Sequence, residues 1–512
     1  MDNPEHVDPH STAGPQVVLI WRESAPSSAG SFSETSLTVM PHLSKDARAI
    51  TMEDAARAAI EAALKVGAKF ADVRIENTST TIIELGDGVT KRSVASRLKG
   101  AGIRAFIDGA WAFGQATDLT PRGMRETGES VARLALATRS RVAKRFEIDG
   151  PSFQDKVRLK VKKPFQDVTF EEKIAFAKMI DDQARDFDDR IHNTRTIYGD
   201  LRTELHIANS LGTSVHLENA VPIIVSITTA KDGASRQRGY KSVSNRGGFE
   251  GLETKEPQHI GEESAKLAVA LLSSKAAKGG TYDVVMDPVL NGVMIHEAFG
   301  HASEADNWPA HTTVLENKVG QSVGPEHLNL TDDPTMPGMR GSFEYDWEGT
   351  KTRKRALVKD GILTELMHSL ETAVLLDMEP NGSARAQSFM HSPLPRMSNT
   401  FMEPGDWNTD ELISDTNEGI LLCGFNYGYT DPAKGQFMFQ ANYGYLIENG
   451  ETTQLVRDVS MAGQILEVLA KIDAIGEDFS MDSGTCGKSG QSVPSTSGGP
   501  HARIREIPVG GA

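Results

Sequence analysis

The spacing of apolar residues predicts four helices in the first half of the chain. Between Thr51 and Gly67, apolar residues recur every three or four positions, and the two flanking residues are typical of the start and the end of a helix. A second capped start at Thr169 predicts a helix over 169–185. Similar spacing predicts helices near 121–138 and 260–277.

Short alternating or apolar runs between these helices predict β-strands joined by tight turns. The expected strands cover 71–76, 80–85, 89–97, 102–107, 110–116, 191–198, 203–208, 214–218 and 223–230. Gly86-Asp87-Gly88 and Asp108-Gly109 are hairpin signatures, and Asn209-Ser210-Leu211-Gly212 is a further turn. The first 280 residues therefore predict an α+β layer, in which an antiparallel sheet of hairpins carries helices on one side.

A different pattern begins at Thr281. A short apolar strand over 282–286 precedes Asp287-Pro288, an N-cap and a first-turn proline that predict a helix from Val289. Beyond it, short strands are expected over 355–358, 362–365, 436–440 and 443–447, then a helix over 460–473 and a Gly/Ser-rich tail over 483–500, for which a linker is one alternative. We predict a two-domain α+β protein with a disordered extension (1–46), an N-terminal α+β domain (47–280) and a mainly β C-terminal domain (281–512).

Composition and charge exclude several classes of protein. The 512 residues are 38% hydrophobic and 24% charged, as in folded globular chains. The net charge of −16 argues against binding to nucleic acid or to anionic lipid. No apolar run approaches the roughly 18 residues of a membrane span, and the apolar residues 17–21 are too few for a signal peptide, so we expect a cytoplasmic protein. The two cysteines, Cys423 in an apolar strand and Cys486 in a polar stretch, cannot form a disulfide framework.

The helix expected from Val289 carries the residues His296-Glu297-Ala298-Phe299-Gly300-His301. Neutral imidazoles bind Zn²⁺ and the adjacent carboxylate can take a proton from water, so these residue types are those of a zinc hydrolase. In the common zinc motif the histidines are four residues apart, about 40° around a helix, whereas five residues separate them by about 140°. Both can face one ion only if the helix carries a π-bulge or ends at Gly300.

A catalytic zinc ion usually has three protein ligands, and spacing leaves the third one open. The candidates are Glu304, Asp306, a distant histidine or a cysteine. Cys486 lies in a glycine-rich stretch where a thiol has no packing role, and Lys488 nearby would lower its pKa. The alternatives are structural: a surface salt bridge for the His-Glu pair, solvated acids at a helix end, and an exposed thiol in a flexible tail.

Further motifs follow this helix, which continues as Ala302-Ser303-Glu304-Ala305-Asp306. They are Asp346-Trp347-Glu348-Gly349-Thr350, Lys359-Asp360-Gly361-Ile362-Leu363, Pro395-Arg396-Met397-Ser398-Asn399-Thr400, Gly435-Gln436-Phe437, residues 441–450 and Cys486-Gly487-Lys488-Ser489-Gly490-Gln491-Ser492-Val493-Pro494. Together with residues 67–119, they resemble the TldD branch of the TldD/PmbA peptidases, in the same order along the chain. The resemblance covers about residues 50–512, and several ordered motifs are far more specific than one isolated HExxxH.

The resemblance implies a zinc-dependent peptidase with one Zn²⁺ per catalytic subunit, bound by the C-terminal metallopeptidase domain. It implies His296, His301 and Cys486 as metal ligands and Glu297 as the general base that takes a proton from zinc-bound water. The family consists of cytoplasmic two-domain proteins that form dimers, either with a TldE/PmbA-like subunit or with themselves. They hydrolyse unfolded or modified peptides in a cavity between the subunits, without nucleic acid or membrane.

Two other functions fit fewer of these residues. A non-catalytic scaffold subunit of a TldD/TldE-type complex would be expected to lack His296, Glu297, His301 or Cys486, and this chain has all four. A structural zinc protein would close the site with a fourth protein ligand such as Glu304. It would keep its metal and its fold when Glu297 is replaced, and it would have no activity to lose.

Overall fold

The computed structural model describes residues 51–142 and 144–511 of the chain. The predicted extension over 1–46 lies outside these residues. The described residues form eight α-helices: α1 (Met52–Val66), α2 (Pro121–Thr138), α3 (Phe170–Arg185), α4 (Lys255–Leu272), α5 (Pro288–Met294), α6 (Leu370–Leu376), α7 (Thr409–Ser414) and α8 (Ile465–Ala470). Sheets dominate the C-terminal half, so the predicted α+β class is confirmed. None of these helices has the length and hydrophobicity that crossing a bilayer requires.

The N-terminal sheet has seven strands in the order β3-β2-β1-β5-β6-β4, with β7 also paired to β6. They are β1 (Phe70–Gly86), β2 (Val89–Ile107), β3 (Ala110–Ala116), β4 (Gln154–Val157), β5 (Ile191–Asn209), β6 (Ser214–Asp232) and β7 (Ser235–Ser244). The two predicted hairpin turns are present. In both, Asp87-Gly88 and Asp108-Gly109, each residue has a positive φ, as a two-residue turn between twisted strands requires.

Several strands that the sequence predicts as separate are continuous. Strands 71–76 and 80–85 merge into β1, and four later ones merge into β5 and β6. The polar residues that interrupt the apolar pattern find partners on the neighbouring strand. Asn77 Nδ2 donates to Glu204 at 2.9 Å, and the hydroxyls of Thr78 and Thr203 are 2.8 Å apart. Pairing across the sheet therefore stabilises positions that look like breaks in the sequence.

The two faces of this sheet have different neighbours. On β1, Val73 and Ile75 pack under α1 and α2, and Ile83 and Leu85 belong to the core that α3 and α4 cover. These residues alternate with others on the strand, so the helices lie on one face, as predicted. The opposite face contacts the C-terminal half, where Phe70 shares a core cluster with Leu370.

The C-terminal half contains a ten-stranded sheet in the order β17-β18-β21-β25-β9-β16-β19-β20-β8, with β22 on β25. Its strands are β8 (Lys275–Ala276), β9 (Gly280–Met286), β16 (Glu418–Cys423), β17 (Tyr427–Asp431), β18 (Gln436–Gln440), β19 (Tyr443–Glu448), β20 (Glu451–Arg457), β21 (Ser460–Gln464), β22 (Ile472–Ile475) and β25 (Ala502–Gly510). In it, β9 lies parallel to β16 and antiparallel to β25, strands distant in sequence.

A six-stranded sheet in the order β12-β11-β10-β15-β24-β23 lies beside it. Its strands are β10 (Leu330–Asp332), β11 (Arg355–Lys359), β12 (Ile362–Leu363), β15 (Asn399–Met402), β23 (Ser480–Lys488) and β24 (Gln491–Gly499), and a separate pair is formed by β13 (Ala384–Arg385) and β14 (Leu394–Pro395). The alternative of a linker over 483–500 is wrong, because this segment forms the hairpin of β23 and β24. Strand β24 pairs in parallel with β15, which is far away in sequence. This distant pairing stabilises a strand that the local sequence pattern does not predict.

Helix boundaries also differ from two predictions. The helix expected over 460–473 is only α8, and strands β21 and β22 flank it. The helix expected near 260–277 begins earlier and ends at Leu272. Both segments pair or pack with distant strands, so apolar spacing alone places their ends poorly.

Helix α5 is fixed in place at its start and along one face. The Asp287 side chain accepts hydrogen bonds from the backbone N–H of Leu290 at 2.8 Å and of Gly424 at 2.9 Å, which ties the helix start to the end of β16. At Gly292, a Cβ atom would lie 2.3 Å from the backbone nitrogen of Gly498 in β24. The absence of a side chain there lets the helix rest directly on the hairpin that carries Cys486.

Candidate metal centre

The helix that begins at Pro288 widens into a π-helical turn over Ile295–Gly300. The backbone N–H of His301 donates to the carbonyl of His296, a bond between residues five apart. This bond places the two imidazoles on the same side, with ring centroids 5.5 Å apart and ring planes at 87°. The distortion that the five-residue spacing requires is therefore present. Gly300 also leaves room for the Met397 side chain, because a Cβ atom there would lie 2.0 Å from the sulfur of Met397.

Strand β23 brings Cys486 to these imidazoles. Its Sγ lies 3.5 Å from His301 Nε2, and one donor atom from each of His296, His301 and Cys486 lies within 4.8 Å of the others. All three residues are buried, and Cys486 is only 1% exposed. The alternative of an exposed thiol in a flexible tail is therefore wrong, since the strand holds this side chain in the core.

The three side chains fit a zinc ion. At zinc bond lengths of about 2.0–2.3 Å, tetrahedral N and S ligands lie about 3.5 Å apart, which is the separation of His301 Nε2 and Cys486 Sγ. One buried ring nitrogen of His296, Nδ1, has no hydrogen-bond partner among the described residues. Two imidazoles and a thiolate are a donor set that zinc prefers, and three protein ligands leave one tetrahedral position open.

The charge distribution favours the thiolate form of Cys486. Burial alone would raise the pKa of this thiol, but His301 and His296 beside it lower the pKa well below the usual value. Lys488 does not have the role that the sequence suggested. Its ammonium group lies 2.6 Å from Asp306 and 3.0 Å from Glu304, so its charge is matched by two carboxylates.

Glu297 lies beside His301 and is partly exposed to solvent. Its carboxylate oxygen is 3.8 Å from His301 Nε2, and its side chain is 33% exposed, in contrast to the buried histidines. A carboxylate at this position can reach both a water molecule beside the donors and a peptide that enters from solvent.

The other candidates for a third ligand lie elsewhere. Glu304 Oε2 is 2.9 Å from Nδ1 of His301, the ring nitrogen opposite the one that faces Cys486. Asp306 pairs with Lys488. Cys423 lies in a separate core cluster, where burial raises the pKa of its thiol, and it has the structural role expected for it.

Two residues of this region escape prediction from residue types and spacing. Arg396 is fully buried, and its Nη2 donates to the backbone oxygen of Cys486 at 2.6 Å. Met397 packs against Gly300. Both lie in Pro395-Arg396-Met397-Ser398-Asn399-Thr400, so family resemblance is the only signal in the sequence that marks them.

Three family models match the chain in succession. They describe domain 1 (residues 71–137), the central domain (163–272) and the C-terminal domain (279–511) of the PmbA/TldA metallopeptidases. Together the models cover most of the chain. The chain belongs to the TldD/PmbA family, as the sequence motifs indicated.

Relatives carry names that agree with this assignment. The chain is 36% identical over 444 residues to a metalloprotease of Methanothermobacter thermautotrophicus. The matched region covers 86% of this chain and 96% of that protein. It is 37% identical over 248 residues to a zinc metalloprotease TldD homolog of Saccharolobus solfataricus, covering 48% of this chain and 55% of that one. These names support a metallopeptidase, a hydrolase that uses a metal, at the level of the family.

The fold is also found in a solved structure. TldE from Thermococcus kodakarensis superimposes with a TM-score of 0.70 and 18% identity, covering 88% of this chain and 98% of that one. At 18% identity, this similarity shows a shared fold and nothing more.

Proposed function

We propose that the protein is a zinc-dependent peptidase with His296, His301 and Cys486 as metal ligands and Glu297 as general base. The observation that carries this proposal is the convergence of three buried donors beside one partly exposed carboxylate. The arrangement leaves the fourth ligand position open, as in catalytic zinc sites, whereas a structural site is closed by a fourth protein ligand.

Zinc, when bound, supplies a Lewis acid that polarises a carbonyl group and makes water easier to deprotonate. Glu297 takes a proton from the attacking water and returns it to the amine that leaves. Its partial exposure allows this, because the carboxylate must meet both water and peptide. Cys486 and the two histidines are held by a strand and a helix, so they provide a rigid site.

We infer unfolded or modified peptides as the substrate class, hydrolysed in a cavity of a dimer within the cytoplasm. Support for this assembly comes from the family and from the likeness in fold to a TldE protein. The partner is a TldE/PmbA-like subunit or a second copy of this chain. In this proposal, residues 47–280 and 281–512 are the two domains, and the second one is the metallopeptidase domain.

The test measures zinc per chain and peptide cleavage on the full chain, alone and with a co-expressed partner. We expect about one zinc per chain in the wild type, loss of zinc and of cleavage in Cys486→Ser, and both retained in Cys423→Ala. Glu297→Gln should keep zinc and lose about 10²–10⁴-fold in turnover, the range for a general base.

Other results would favour the alternatives. Zinc retained in Cys486→Ser would remove this thiol from the ligand set. Zinc with no cleavage in any preparation, and with no effect of Glu297→Gln, would indicate a structural ion. A wild-type chain that binds no zinc, alone or with its partner, would indicate a scaffold subunit.

A further inference from the structure

A buried carboxylate lies directly behind the candidate ligand His301. The Glu304 side chain is 0% exposed, and its Oε2 lies 2.9 Å from Nδ1 of His301. The other ring nitrogen, Nε2, faces Cys486. An imidazole that donates from Nδ1 to a carboxylate keeps the Nε2 lone pair for a metal, so Glu304 selects the tautomer that the site needs.

A cation on the cysteine strand holds this carboxylate. Lys488 follows Cys486 by two residues, and its Nζ lies 3.0 Å from Glu304 and 2.6 Å from Asp306. Glu304 follows His301 by three residues. One ion pair therefore joins the hairpin that supplies the thiolate to the segment that supplies an imidazole. These two ligands are 185 residues apart in sequence.

Arg396 makes a second connection between the same parts. Its Nη2 donates to the backbone oxygen of Cys486 at 2.6 Å, and its Nε lies 3.7 Å from Glu304 Oε1. Glu304 thus lies between the fully buried guanidinium of Arg396, the partly buried ammonium of Lys488 and one imidazole, and all three contacts lead to a metal-ligand segment. An ion pair that only stabilised the fold would not need a hydrogen bond between Glu304 and the ring of the candidate ligand His301.

We propose that Glu304 is a positioning residue for the metal, coupled through Lys488 to the cysteine strand. It orients His301 and contributes no bond to the ion. This inference rests on the proposed metal site. Removal of such an outer carboxylate typically lowers metal affinity by about 10–100-fold while the ligand set stays the same.

The test titrates the metal-free full chain with Co²⁺ and records both the affinity and the visible spectrum. In Glu304→Gln we expect an affinity about 10–100-fold lower, with the thiolate-to-cobalt band and the tetrahedral d–d bands retained. Lys488→Met should weaken binding in the same direction, and Lys488→Arg should restore most of it. The double variant should lose less than the product of the two single losses, because both remove one connection.

Asp306→Asn is the matched control. Asp306 shares Lys488 with Glu304 but does not contact His301 within the described residues, so we expect a change in affinity of less than about threefold. Melting temperatures of the metal-free variants separate a loss of fold from a loss of positioning.

Several results would overturn the inference. Wild-type affinity in Glu304→Gln would show that the carboxylate does not act on the metal. A changed d–d spectrum with a lost ligand would make Glu304 a ligand. If Glu304→Gln does not fold, equal Co²⁺ affinity in Lys488→Met and wild type would overturn the coupling. A wild-type chain that binds no Co²⁺ would instead contradict the proposed function.

Discussion

The N-terminal sheet and the C-terminal sheets are assembled in different ways. In the first, most pairings join consecutive strands through short turns, as β1 does with β2 and β5 with β6, and only β1–β5 and β4–β6 join distant strands among the described residues. In the second, strands far apart in sequence pair, as β9 does with β16 and β15 with β24. Local pairing needs little loop closure, whereas the C-terminal pairings must close long loops before their contacts can form.

The candidate metal site depends on the distant strand pairings of the C-terminal half. The two histidines and Cys486 meet only when α5 rests on the hairpin of β23 and β24, which itself depends on β15. Buried ions maintain this arrangement. Burial would raise the pKa of Asp332, next to β15, but Arg355 and hydrogen bonds from Ser398 and Thr400 lower it. The C-terminal half therefore depends on charged groups that few local contacts could replace.

The largest effect on stability is expected from breaking this buried pair. Arg355 is 0% exposed and donates to Asp332, to the carbonyl of Asn381 at 2.9 Å and to Ser398 at 3.1 Å. Arg355→Met leaves Asp332 buried without its cation, which typically costs about 3–5 kcal/mol. Urea denaturation should show this loss, and metal content should fall with it.

Arg353→Met is the control for that variant. Arg353 lies two residues before Arg355 in the chain and pairs with Glu365, but the Arg353 side chain is 50% exposed. Exposed pairs contribute about 0–1 kcal/mol, so the free energy of unfolding should barely change. Equal losses in the two variants would show that burial of the Asp332 pair does not decide the stability of this half.

The same contrast explains which parts of the fold the sequence predicts. Hairpin turns such as Asp108-Gly109 and helix caps such as Thr169 act between neighbouring residues, so their patterns predict the N-terminal elements well. The hairpin around Cys486 has small polar residues and forms because β15 lies beside it. The local sequence pattern gives no sign of this distant pairing. Spacing predicted the distorted helix, but only family resemblance connected Cys486 to it.

A pH-dependent loss of stability is expected in the N-terminal sheet. His206 is buried, stacks on His216 at 4.1 Å, and has its pKa lowered to about 4 by burial and by that neighbour. The folded state thus favours the neutral ring. Between pH 6.5 and pH 4 the unfolded chain binds more protons at this residue than the folded chain does. The contribution of His206 to the free energy of unfolding is therefore fully present above pH 6.5 and is lost as the pH falls toward 4.

His206→Phe keeps a stacked ring that cannot be protonated. We expect the drop in the free energy of unfolding between pH 7 and pH 4 to be smaller in this variant, by up to about 3 kcal/mol. Urea denaturation at the two pH values measures it. His192→Asn changes an exposed histidine at the opposite end of β5 and should leave the drop as in the wild type. An unchanged drop in His206→Phe would contradict the role of burial.

The smallest effect is expected at a single helix cap, and it sharpens the contrast between the two halves. Thr169 Oγ1 accepts from the N–H of Glu172 at 3.2 Å, and the Glu172 carboxylate accepts from the N–H of Thr169 at 2.7 Å. Thr169→Ala should cost about 1 kcal/mol. Ser130→Ala, an exposed site within α2, should change stability by less than about 0.5 kcal/mol.

Zinc content and Co²⁺ affinity should not change in Thr169→Ala, because α3 packs on the N-terminal sheet and on α4. One buried ion pair that joins this sheet to the C-terminal half is that of Arg104 with Glu348, at 2.7 Å, and Arg104 lies near the C-terminal end of β2. A loss of metal affinity in Thr169→Ala would mean that the two halves unfold as one unit, and that the site depends on local helix stability as well as on distant strand pairing.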